Sequence, residues 1–75
     1  MALSILFVHG MRIGITDPDN GKTFWYYSVS RPVPSPDPAV EEHLGEVAIG
    51  EAAKLASDKG WRITKKEAFI GLVSG

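Results

Sequence analysis

The chain has no cysteine among its 75 residues. That excludes disulfides and thiolate metal centres, and it suits a reducing compartment. It also lacks a Walker-type phosphate loop, a G-x-S-x-G elbow and an i, i+4 histidine pair, and it has no long apolar run. The N-terminal stretch Met1-Ala2-Leu3-Ser4-Ile5-Leu6-Phe7-Val8 is apolar, yet no basic residue precedes it. A secretory signal needs a charged leading region and a spanning helix needs about 20 residues, so this segment reads as a strand of a cytoplasmic protein. At this length one domain, residues 1–75, is the expectation. Its core is small enough that an oligomer, a homodimer for example, would help it.

Net charge is −1, which does not single out nucleic acid as a partner. The charges are unevenly placed. Between Asp37 and Glu51 stand five carboxylates and no lysine or arginine, whereas the last fifteen residues hold three basic side chains and one acidic.

Turn formers carry the clearest structural signal. Asp17-Pro18-Asp19-Asn20-Gly21 stand together, flanked by Met11–Asp17 and by the β-rich run from Lys22 to Ser30. Proline fixes φ, Asx side chains bond their own backbone and glycine accepts positive φ, so the segment predicts a hairpin. Four of the seven aromatic rings fall on its second strand. Alternation sends Phe24 and Tyr26 to one face and Trp25 and Tyr27 to the other. Upstream, residues 3–9 read as a further strand, with His9-Gly10 either a tight turn or a bulge in one long bent strand. Downstream, prolines at 32, 34, 36 and 38 make residues 31–38 an extended connector.

Asp37-Pro38 then opens a helix as N-cap and first-turn proline, and Gly60 closes it. Val40, Leu44, Val47, Ala48, Ala52 and Leu55 share one face at helical spacing. Gly45 and Gly50 weaken the interior, which predicts a break near Gly45 and a firmer half over 46–59. In the last segment, Thr64-Lys65-Lys66-Glu67 fits a capping box, but Phe69-Ile70-Gly71-Leu72-Val73 fits a buried strand, and strand is preferred. The order β-β-β-α-β predicts an α+β fold, a small mainly antiparallel sheet with one helix on one face and Trp61 closing an end of that interface.

Reactive groups do not converge. His9-Gly10 after an apolar strand resembles the oxyanion-loop dipeptide of α/β-hydrolases, but without a nucleophile elbow it reads as a turn or bulge. His9 and His43 lie 34 positions apart, which gives no ligand spacing, and adjacent Glu41 and Glu42 cannot flank one bond. The expectation is therefore no enzyme, metal or cofactor. Two surfaces remain: an acidic helix with Glu41, Glu42, Glu46 and Glu51, and an aromatic strand with Trp25 and Tyr27. Either could anchor a protein partner, a basic nucleic-acid-handling one for example, by steering or by burying rings. In size, charge layout and lack of catalytic residues the chain resembles phage-encoded inhibitors such as anti-CRISPR proteins. That resemblance implies a protein-binding module acting by occlusion. Two alternatives stand beside it. Of the candidate cations Arg12, Lys22, Arg31, Arg62, Lys65 and Lys66, the first three fall on or beside the hairpin and would suit a small nucleic-acid binder, and an uncovered aromatic pair would suit a self-associating subunit.

Overall fold

The computed structural model describes residues 5–74. Three strands and one helix follow in the order β1 (Ile5–Thr16), β2 (Thr23–Val29), α1 (Pro38–Lys59) and β3 (Arg62–Ser74). The sheet is antiparallel throughout with strand order β2-β1-β3, and the helix packs on one face of it. This is the α+β arrangement that the pattern predicts.

The first two expected strands are one. β1 runs through His9-Gly10 without a turn, and residues 3 and 4 of the expected first strand lie outside the described residues. Gly10 pairs with Val29 on one side and Phe69 on the other, so its place is mid-sheet. The hairpin forms as expected. Asp17 N–H donates to the Lys22 carbonyl, and the Asp17 and Asn20 side chains accept from the N–H groups of Asp19 and Lys22. Gly21 sits at φ 73°, a conformation that glycine alone adopts freely. Beyond β2 the proline segment stays along β1, where Phe7 and Val33 exchange backbone hydrogen bonds of 2.8 Å.

The helix is continuous through Gly45. Its first turn is held by the Asp37 side chain, which accepts from Ala39 N–H, and its end by Gly60 in the left-handed region. Gly45 is buried, and a side chain there would meet the methyl of Met11. The break expected near Gly45 is absent because this close seat on β1 supports the turn. The buried helix face is Leu44, Gly45, Ala48, Ala52 and Ala56, facing Met11, Ile13 and Ile15 of β1. Val47 and Leu55, expected in the core, are each 40% exposed. Alanines at the line of contact let the helix lie close on β1, and that closeness pushes the larger side chains to the margins. Trp61 packs against the core as expected and stacks on Phe24 at 4.8 Å.

β3 starts at Arg62, well before the expected 69–73. The capping-box residues Thr64–Glu67 extend the ladder with β1 instead, with a bulge opposite Gly14 and Ile15. The helix is about 33 Å long at 1.5 Å per residue, whereas β3 spans about 43 Å. The sheet therefore outruns its helix, and the end of the β1–β3 ribbon projects beyond the helix N-terminus. Among the described residues no helix is long and apolar enough to cross a membrane.

Candidate binding face of the sheet

Register decides which side chains meet on the face turned away from the helix. Gly10, Arg12 and Gly14 of β1 lie opposite Val29, Tyr27 and Trp25 of β2, and opposite Phe69, Glu67 and Lys65 of β3. Directly paired residues share a face, so these nine positions form one patch that no element among the described residues covers.

Two glycines shape its floor. A Cβ on Gly10 would fall 2.1 Å from Phe69 Cε2, so the phenyl ring lies directly over this residue. A Cβ on Gly14 would lie 3.0 Å from Lys65 Cβ and 3.3 Å from Trp25 Cζ3. A ring from each outer strand thus leans inward over a bare stretch of β1. Both glycines are buried by this cover although they sit on the helix-free face.

Arg12 stands between the two seats. Its guanidinium lies 4.1 Å from the centroid of the Trp25 ring, while Lys65 Nζ is 5.7 Å from the same centroid. Arg12 is also ion-paired with Glu67 across the strand pair. Tyr27 first, and Glu67 second, raise the Arg12 pKa above its ordinary value. Tyr27 itself is 57% exposed and Trp25 half-buried, so the patch offers aromatic edges and one compensated cation.

The predicted site residues are distributed as follows. Trp25 and Tyr27 are together on the open face, as alternation required. Arg12 joins them, but Lys22 lies at the hairpin end of β2 and Arg31 beyond its other end, about 30 Å of extended chain apart. Arg31 lines a cleft with Val40 and His43 of the helix, on the covered side of the sheet. The four glutamates do not share a surface. Glu41, Glu42 and Glu46 border the groove between α1 and β3, which also holds Lys66, whereas Glu51 turns to β2 and accepts a hydrogen bond from the Tyr26 hydroxyl.

Sequence reasoning missed Phe69 and the two glycines as site residues, and it offered Lys65 only as one of several cations for nucleic acid. Gly14 meets Trp25 through the β1–β2 register, whereas Phe69 and Lys65 join the face only through the β1–β3 register. The signal available was that Lys65, Glu67 and Phe69 alternate in step with one another. His9 is buried in a structural role: its Nε2 accepts the Asp37 N–H at 3.0 Å, just before the helix. Among the described residues no group of three histidine or carboxylate side chains could hold a metal ion. No protein-family model, curated protein or solved structure matches the chain.

Proposed function

We propose that the chain is a non-enzymatic protein-binding module, acting by occlusion of its partner, and that its working surface is the open face of the sheet. The observation that carries this reading is the uncovered patch of Trp25, Tyr27 and Phe69 seated over Gly10 and Gly14. Rings preset in position lose little freedom when a partner covers them, and Trp, Tyr and Arg are the residue types that dominate binding energy at protein interfaces. A protein partner suits the patch better than nucleic acid. Glu67 neutralises Arg12, which among the described residues leaves Lys65 as the uncompensated cation beside Trp25, and phosphate binding draws its affinity from several such cations. The acidic helix edge at Glu41, Glu42 and Glu46 would serve to steer a basic partner rather than to anchor it. The cysteine-free composition fits work in the cytoplasm.

The test is a comparison of partner binding by the intact chain, the Trp25→Ala/Tyr27→Ala variant and the Glu42→Lys/Glu46→Lys variant, each first shown to be folded by circular dichroism. The reading expects the aromatic variant to lose about 30-fold or more in affinity, the equivalent of a hot spot of roughly 2 kcal/mol. The charge variant should mainly slow association. An aromatic variant that binds as tightly as the intact chain would refute this surface. Tight binding to a single-stranded oligonucleotide with a steep salt slope would refute the partner class.

A further inference from the structure

The sheet has a second unfinished surface, which has only Phe69 in common with the binding face. β3 is an edge strand of thirteen residues, exposed along its whole length, with no proline. Its outer row of backbone N–H and C=O groups has no partner among the described residues, although the side chains beside it are apolar: Leu72 is 67% exposed, Ile70 48% and Phe69 44%. A long apolar edge of this kind pairs with another strand unless charge, proline or a covering element blocks it.

We infer that the occupant is a second copy of this chain, joined β3 to β3 in antiparallel register about a two-fold axis at Ile70. The sequence around that axis is complementary to itself. Ile70 meets Ile70 of the partner subunit, Phe69 meets Gly71, and Ala68 meets Leu72, so a large side chain faces a small one on either side of the centre. Gly71 has nothing within contact distance of where its side chain would start, which leaves room for that neighbour. Leu72 enters the groove where Ala68 lies beside Pro38 and Glu41 at the start of the helix, and covers it.

Charge excludes the registers centred on the lysines and is compatible with this one. Centred on Lys65 or Lys66, the pairing would set lysine against lysine, which is destabilising. Centred on Ile70, it holds the two copies of Lys66 about 27 Å apart. The area fits a weak dimer. From Lys65 to Ser74, beyond the bulge, the edge is about 33 Å long. The sheet layer, about 10 Å thick, runs along all of it, and the helix, roughly 10 Å across, backs only the half before the projecting ribbon end. The sum is on the order of 500 Å² per copy, or about 1,000 Å² in total, the lower bound for a specific interface. The dimer is a six-stranded sheet with both helices on one side, and its other side carries two Trp25 patches.

The absence of cysteine makes the register directly testable. Sedimentation of the intact chain up to about 1 mM, the weak end of specific association, should give twice the 8.1 kDa chain mass. Ile70→Lys, checked for folding by circular dichroism, should weaken dimerisation by more than about tenfold because two like charges then face each other. Under mild oxidation Ile70→Cys should crosslink to itself, since directly opposed Cα atoms lie about 4.5–5.5 Å apart. Lys66→Cys alone should not, but mixed with Ser74→Cys it should. A strict monomer, a dimer indifferent to Ile70→Lys, or crosslinking that ignores position would each overturn the inference.

Discussion

Replacing Gly10 by alanine tests whether the open face is a built surface or an accident of alternation. The added methyl would stand 2.1, 2.3 and 2.7 Å from three atoms of the Phe69 ring, against about 3.5–4.0 Å for ordinary contact. The ring must therefore leave its seat, and it can, because Phe69 is 44% exposed. A phenylalanine side chain offers about 200 Å². Losing the covered part, roughly 110 Å² at about 25 cal/mol per Å², costs up to ~3 kcal/mol. Alanine in place of glycine within a strand returns about 0.5–1 kcal/mol, so the net loss is about 2 kcal/mol. For a chain of this length the whole folding free energy is only about 4–11 kcal/mol. In a Phe69→Ala background the obstacle is gone and the same substitution should stabilise, by about 0.5–1 kcal/mol. The assay is a double-mutant cycle by urea unfolding, followed through tryptophan fluorescence. All four variants should carry Ile70→Lys so that association does not enter. A coupling near zero, or a Gly10→Ala change of one sign in both backgrounds, would refute the argument that Phe69 is seated on Gly10.

Two further substitutions probe the covered side. Ala48 is fully buried in the core between the helix and β1, so Ala48→Leu should destabilise by about 1–3 kcal/mol through overpacking, read as a lower urea midpoint with an unchanged slope. His9→Leu keeps the volume but leaves the Asp37 N–H without its acceptor. It should cost about 1–3 kcal/mol and speed hydrogen exchange at Asp37, and slow exchange there in the variant would show that the histidine does not hold the helix start.

Wherever the sequence determines structure over a few residues, the fold was readable. Asp17, Asn20 and Gly21 make the turn that their side chains dictate, and Asp37 and Gly60 cap the helix that they bracket. The split of Trp25 and Tyr27 from Phe24 and Tyr26 needed only the period of a strand. Long-range pairing set the rest. His9-Gly10 has the local chemistry of a turn, but Gly10 is paired on both sides and a phenyl ring contributed from Phe69 fills the space above it. Thr64 and Glu67 have the spacing of a capping box, yet Thr64 bonds the Thr16 hydroxyl and Glu67 pairs with Arg12, both of which β1 supplies. The helix stripe was misjudged at Val47 and Leu55 because spacing reports a direction but not the distance at which two elements pack. The candidate site shares that limit: its β2 half follows from alternation, and its β3 half exists only through register.

Both open surfaces trace to a shortage of covering material. One helix about 10 Å across lies on a sheet of three strands about 4.8 Å apart, which is enough for one face and not for both. On the other face the chain supplies its own partial cover, two inward-leaning rings over two glycines. That cover excludes water from the β1 backbone without hiding the rings themselves. Among the described residues no comparable device operates at the β3 edge, since Phe69 leans away from the edge toward Gly10 and the lysines of β3 stop at Lys66, short of the apolar end. The two solutions differ in what they leave for a partner. The face presents preset side chains and so can discriminate among shapes, while the edge presents backbone and a self-complementary run of side chains, and so selects its own sequence. Pairing at the edge places two identical faces on one side of a continuous sheet. A partner with a matching repeat would then gain from effective concentration, and Ile70→Lys would lower its apparent affinity without touching either face.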